Sequence, residues 1–211
     1  GNAVTQSFDS LPASGSVTWS NNTTIPGWYY ARTGTGTTIV ANDGASNAGN
    51  LYSYGTGTAS DRALGSLGSG NAAAGNFFYG VRLVNNTGST ITSLDISYVG
   101  EQWRNSAAAA QTAVFSYLVG SPTVTGSLAE FQSAGTPVVA LDFTSPITGG
   151  TAAALNGNLA ANRTAISATM RWRCATNSAS LTGHLRRAGV ETLVVTNRSP
   201  ERAAALAREL D

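Results

Sequence analysis

Hydrophobic and polar positions alternate along much of the chain with a period of two. Leu94, Ile96 and Tyr98 alternate with Ser93, Asp95 and Ser97, and Ile166, Ala168, Met170 and Trp172 alternate with Ser167, Thr169, Arg171 and Arg173. A period of two turns one face of a strand to a core and the other to water. Phe77–Val84 and Ala113–Val119 are apolar on both faces and read as central strands. Weaker strands are predicted at Val4–Phe8, Val17–Trp19, Trp28–Arg32, Thr38–Ala41, Leu51–Tyr54 and Val138–Phe143. Asn42-Asp43-Gly44, Gly55-Thr56-Gly57, Gly68-Ser69-Gly70 and Asn86-Thr87-Gly88 lie between them and supply the positive φ that tight turns need. Thr144–Arg163 reads as a long Gly/Ala/Asn loop. The pattern predicts an all-β fold, an antiparallel jelly-roll-like β-sandwich.

The end of the chain has another rhythm. Ser180–Ala188 reads as a helix stopped by Gly189, and Thr192–Val195 as a short strand. Ser199 then stands as an N-cap before Pro200, and Ala203, Leu206, Ala207 and Leu210 form one apolar helical stripe. The expectation is a sandwich domain over residues 1–173 and a helix–strand–helix tail over 174–211. Charge marks the same division. Residues 1–170 hold five arginines and seven acids, whereas 171–211 hold seven arginines and four acids. A tail this short cannot bury a core alone, so it is expected to dock on the sandwich, pair with another chain or be poorly ordered, and it is a candidate for a segment foreign to the domain.

Composition narrows the function. Charged residues make up 11% of 211 residues, the formal net charge is +1, and there is no lysine. That balance leaves no broad basic surface for nucleic acid. No apolar run is long enough for a membrane helix. One cysteine, Cys174, and one histidine, His184, cannot form a disulfide or a zinc site. His184 would have to serve any Ser/His/acid triad, and no nucleophile-elbow motif surrounds a serine. The acids at positions 9, 43, 61, 95, 101, 130 and 142 show no spacing that pairs two across a cleft. A carboxylate hydrolase is therefore a minor alternative. No cofactor is expected. Calcium is the one metal that oxygen-rich loops would suit, with Asp43 and Asp142 as the candidate ligands.

The aromatic residues carry the main functional expectation. Flat rings with polar edges stack on sugars, and Trp28, Tyr30, Tyr52 and Trp103 are the candidate ligand-binding rings. In Trp28-Tyr29-Tyr30 the period of two sends at least one ring off the core face. Glu101 and Arg104 flank Trp103 and are expected to form a structural ion pair holding the loop after the strand near 91–99.

Specific runs also carry a resemblance. They are Gln6-Ser7-Phe8-Asp9-Ser10-Leu11-Pro12, Pro26-Gly27-Trp28-Tyr29, Asn50-Leu51-Tyr52-Ser53-Tyr54-Gly55 and Asp61-Arg62-Ala63-Leu64-Gly65. Asn85-Asn86-Thr87-Gly88, Ser97-Tyr98-Val99-Gly100-Glu101-Gln102-Trp103-Arg104 and Leu141-Asp142-Phe143-Thr144-Ser145-Pro146 follow, then Leu155-Asn156-Gly157-Asn158 and Ala161-Asn162-Arg163-Thr164. Together these resemble a domain of secreted and surface proteins of Gram-negative bacteria, found with PEP-CTERM sorting tails, lamin-tail modules and extracellular nucleases. The resemblance implies an all-β module, secreted or at the cell surface, with no settled activity. The acidic closing strand that the family carries after its final tryptophan strand is not in this sequence.

The tail has its own likeness. Leu185-Arg186-Arg187-Ala188-Gly189-Val190 followed by Val194-Val195-Thr196-Asn197-Arg198-Ser199-Pro200 resembles the NADP-binding segment of glutamyl-tRNA reductase and shikimate dehydrogenase. Residues 174–183 contain no Gly-x-Gly-x-x-Gly turn, without which the backbone cannot approach a pyrophosphate. The leading expectation is a non-catalytic extracellular module for surface attachment or polysaccharide binding. The alternative is a structural, self-associating subunit of a surface layer or filament. The expected partners are accordingly a polysaccharide or other copies of the chain.

Overall fold

A computed structural model describes residues 3–85, 91–120, 124–133, 135–171, 192–196, 202–203 and 206–209. The chain is mostly strand with little helix, as the period-two pattern predicts. The first strands are β1 (Val4–Thr5), β2 (Ser16–Thr18), β3 (Trp28–Arg32), β4 (Thr38–Asn42), β5 (Asn50–Tyr54) and β6 (Ala63–Leu67). Next come β7 (Phe77–Leu83), β8 (Ser93–Glu101), β9 (Arg104–Asn105), β10 (Thr112–Ala113) and β11 (Ser116–Gly120). A short helix α1 (Leu128–Gln132) precedes β12 (Thr136–Pro137), β13 (Phe143–Thr144), β14 (Ala153–Ala154) and β15 (Arg163–Arg171). The last are β16 (Thr192–Thr196), β17 (Arg202–Ala203) and β18 (Leu206–Glu209).

Three sheets carry the fold. One runs β2-β4-β5-β6, a second runs β12-β11-β16-β7-β3, and a third runs β1-β18-β8-β15 with β17 also on β8. Two ribbons, β10-β13 and β9-β14, tie down the loops. Side chains of all three sheets meet in one core. It includes Ile39, Leu51 and Leu64 of the first, Trp28, Phe77 and Tyr79 of the second, and Ile96, Tyr98 and Ile166 of the third. On β8 the buried Leu94, Ile96 and Tyr98 alternate with half-buried Asp95, Ser97 and Val99, as the sequence pattern requires. The hydroxyl of Tyr98 donates to the carbonyl of Leu141, and burial pushes its phenol well above the ordinary range, with Asp142 adding to the effect.

Three expectations are corrected. First, β4 and β5 pair in parallel, Ile39 opposite Leu51 and Asn42 opposite Tyr54, so that sheet is not purely antiparallel. Residues 43–49 carry the chain back along the strand. Their turn starts with Asn42, whose Oδ1 accepts from Gly44 N at 2.9 Å, and continues through Gly44 at φ +91°. Second, the run 113–119 is broken. Phe115 leaves the ladder and gives its N–H to Asp142 Oδ1 at 2.7 Å, and Val114 and Leu118 are exposed. Third, the loop 144–163 is not structureless: Ala153–Ala154 pairs with β9, and Ala160–Asn162 forms a 3-10 turn.

Of the stretch from Pro200, where the stripe predicts a helix, the described residues are β17 and β18, which pair with β8, and the rest lies outside the described residues. The strand expected at Thr192–Val195 is present as β16, between β7 and β11. The helix expected at Ser180–Ala188 lies outside the described residues.

Helix α1 shows how a short element is fixed by its ends. Ser127 caps it in a reciprocal capping box with Glu130. The Glu130 carboxylate also accepts from Thr125 N, Thr125 Oγ1 and Gly126 N, the last at 2.7 Å. Burial alone would push its pKa up. The donors from Thr125, Gly126 and Ser127 outweigh burial and hold it below its ordinary value. A depressed folded pKa gives stability that is present above the unfolded value near 4.5 and is lost as pH falls through the folded value. The wild-type advantage over Glu130→Gln is expected to shrink as pH falls from about 6 to about 3. Paired thermal melts check this. A pH-independent gap between the two proteins would show that the carboxylate charge does not hold this turn.

Candidate functional site

The sequence Glu101-Gln102-Trp103-Arg104-Asn105 follows β8 and gathers several distant loops. The Trp103 ring stacks on Tyr54 of β5 at 6.0 Å with an interplanar angle of 9°, and Tyr54 in turn contacts Tyr52 at 5.3 Å. Trp103 Nε1–H donates to Glu101 Oε2 at 3.1 Å, and both residues are buried. Gln102 spans to the loop after β13. Its Nε2 donates to the carbonyl of Ile147 at 2.8 Å, and its Oε1 accepts from Ile147 N at 2.7 Å. Arg104 Nη1 donates to the carbonyls of Gly44 and Ala45 at 3.0 and 3.1 Å. Asn105 Nδ2 donates to Gly149 O at 2.7 Å. Three of these five side chains, Gln102, Arg104 and Asn105, thus fasten the turn after β4 and the segment 147–151 to the end of β8, and the Trp103 carbonyl accepts from Leu155 N.

A second polar centre lies under β5 and β6. Arg62 is fully buried. Its Nε donates to Ser53 Oγ at 3.0 Å, Nη1 to Gly57 O at 3.2 Å, and Nη2 to Ser53 O. Its backbone N–H reaches Asp9 Oδ1 at 3.3 Å, joining the opening loop to the same centre.

The four rings expected to bind ligand are all interior. Trp28 is 3% exposed, Tyr30 7%, Tyr52 3% and Trp103 1%. Trp28 meets Phe8 edge-on at 4.8 Å, and Tyr30 meets Trp19 edge-on at 6.0 Å. Burial raises the Tyr30 phenol, against the pull of neighbouring Arg32. Tyr52 donates its hydroxyl to Ala48 O at 2.7 Å. Trp28 and Tyr30 belong to the main core, while Tyr52 and Trp103 belong to a separate cluster with Tyr54, Ala63 and Leu67. The structure does not bring the four together, and no ring face is open for a sugar to stack on.

The expected Glu101–Arg104 ion pair is also corrected. Arg104 turns to the carbonyls of the Gly44 turn, and Glu101 turns inward to the Trp103 indole. The two side chains leave the backbone toward different neighbours. Of the calcium candidates, Asp43 is exposed and accepts from Ala45 N at 3.0 Å, and Asp142 accepts from Phe115 N. Both carboxylates hold turns. Among the described residues, no three His, Cys, Asp or Glu side chains cluster as metal ligands. His184 and Cys174 lie outside the described residues.

A cleft of about 110 Å³ lies among Val4, Gln6, Pro26, Trp28, Arg82 and Ile96. That is room for a few waters. No family model matches the chain, and no curated protein or solved structure matches it. Sequence reasoning missed Gln102, Asn105 and Arg62 as organisers. Their signal was their position beside the turns they fasten, which alternation does not report.

Proposed function

We propose that the chain is a non-catalytic extracellular module for surface attachment, working through its folded surface and loops. One observation carries this reading: the polar side chains with most chemical potential hold the fold. Glu101 supports an indole, Arg104 and Arg62 bind backbone carbonyls, and Asp142 caps a strand. A catalytic acid or base needs a free face toward a substrate. The resemblance to secreted and surface β domains supports placement outside the cell. The aromatic stacking mode of sugar recognition has no support in the buried rings, so attachment is assigned to the loop surface.

A polysaccharide array with a reducing-end assay tests the reading. Attachment is expected without release of reducing ends, and is expected to survive Trp28→Phe and Tyr52→Phe in folded protein. Release of reducing ends would overturn the non-catalytic reading. Loss of binding in folded Tyr52→Phe would return the ligand site to the rings. If no polysaccharide is retained, adhesion to glycans is wrong and the module's role is structural.

A further inference from the structure

Asn156-Gly157 is the one Asn-Gly pair in the chain, and it opens the turn that leads into Ala160–Asn162. An asparagine before glycine is open to attack by its own backbone, because glycine has no Cβ to keep its nitrogen from the side-chain amide. The fold sharpens that chemistry. Asn156 is exposed, so base and water reach its carboxamide. Its Oδ1 accepts from Asn158 N at 3.0 Å, which puts a donor where negative charge would develop during attack on Cγ. Gly157 N donates to no acceptor among the described residues. Gly157 itself is buried on the indole: a Cβ there would lie 2.3 Å from Trp103 Nε1. Two neighbouring turns lack this combination. Gly44 N, after Asp43, is held by Asn42 Oδ1 at 2.9 Å. Asn105, before Ser106, is buried, and its Nδ2 is held by Gly149 O and Thr151 O at 2.7 and 3.3 Å.

We propose that Asn156 is a self-modification site, which loses its amide nitrogen in the folded protein and so loosens the turn at Gly157 from Trp103. Gly157 N gives its proton to solvent base and attacks Asn156 Cγ. A C–N bond forms, the Cγ–Nδ2 bond breaks, and Nδ2 leaves as ammonia with a proton taken from water. The resulting succinimide adds one water. Opening at Cγ gives aspartate, and opening at the backbone carbonyl gives isoaspartate, whose main chain runs through Cβ and Cγ. Nothing is oxidised or reduced, and either product carries a new carboxylate. Isoaspartate also lengthens the main chain by one atom. The Asn156 carbonyl, which accepts from Leu159 N at 3.1 Å and Asn162 Nδ2 at 2.8 Å, leaves the main chain as a free carboxylate. A close-packed turn cannot absorb an extra backbone atom without moving, and Gly157 has no space to move toward the indole. The inference does not depend on the surface-attachment reading.

Ageing the full, folded chain at about pH 9, with a control at about pH 5 where base is scarce, tests this. Peptide mapping by mass spectrometry and enzymatic methylation of isoaspartate locate the product. Asn156 is expected to convert first, ahead of Asn105, with release of ammonia and only at the higher pH. The isoaspartate form, separated by its added charge, is expected to melt at a lower temperature than fresh protein. Asn156→Asp has the charge without the longer backbone and is expected to melt close to wild type. Asn156→Gln is expected to age without change at this turn, and the wild-type map alone decides if that variant does not fold. Conversion of another asparagine first overturns the proposal. So does conversion in the urea-unfolded chain but not in the folded one. Isoaspartate at Asn156 with an unchanged melt overturns it too, because the turn then does not bear on Trp103.

Discussion

Replacing Gly44 with alanine is expected to lower stability by about 3–5 kcal/mol, through backbone strain and overpacking together. Gly44 sits at φ +91°, where an L side chain is strained whatever the space. The space is also taken. A Cβ there would lie 1.8 Å from the Trp103 carbonyl oxygen and 3.3 Å from that of Leu155. The Trp103 carbonyl cannot swing aside cheaply, because it accepts from Leu155 N at 2.9 Å and its residue is clamped between Tyr54 and Glu101. Moving the turn instead would pull the Gly44 and Ala45 carbonyls off Arg104. Gly57 is the control: its φ of +54° is also left-handed, but a Cβ there meets nothing within 4 Å. Gly57→Ala is expected to cost about 1 kcal/mol, the conformational part alone. Urea unfolding of the two variants separates the effects. Equal midpoint shifts would mean that the turn does not pack against Trp103 as described.

The contrast between those two glycines shows where sequence reading stops. Both occur in turn motifs that the sequence marks clearly, yet only the fold distinguishes a turn in open space from one pressed on a neighbouring backbone carbonyl. Strand β3 was legible to its boundaries, because Trp28–Arg32 is compact and rich in β-formers. Strand β6 was not. Ala63-Leu64-Gly65-Ser66-Leu67 is buried at every position, so it shows no alternation, and its small residues carry no strand preference. Parallel pairing of β4 with β5 was equally hidden, since a period of two is the same in either direction.

The candidate site failed for a related reason. Alternation correctly opposes Tyr29 to Trp28 and Tyr30, but it cannot say that the second face is covered too. Tyr29 is 5% exposed because the segment before α1 crosses it: a Cβ on Gly126 would lie 2.8 Å from the Tyr29 ring. Phe131 of α1 stacks on Phe78 of β7 at 6.2 Å. The covering helix carried a readable signature in Ser127 and Glu130, three residues apart. Reading that capping box would have predicted the helix, although the motif is local and does not say which strand the helix covers.

Arg62→Met is expected to cost about 3–5 kcal/mol, the range for removing one partner from a buried charged network. The opposite outcome is physically reasonable in general, because a buried charge replaced by a well-packed apolar chain is often neutral or stabilising. What decides here is the nature of the acceptors. Two of the guanidinium's bonds end on backbone carbonyls, Ser53 O and Gly57 O, and no side-chain substitution removes a carbonyl. Methionine fills the aliphatic volume but leaves those oxygens and the Ser53 hydroxyl without their donor. Gly55 has packed its backbone against the same group, its would-be Cβ only 2.3 Å from Nη1, so there is little room for water to substitute. Arg62→Lys keeps the charge but offers a single ammonium in place of a planar fork, and cannot serve Ser53 and Gly57 together. Its expected cost is intermediate, about 1–3 kcal/mol. Chemical denaturation ranks the three proteins. If Arg62→Met lies within about 1 kcal/mol of wild type, the carbonyls have found water and the network does not fix the loops between β5 and β6.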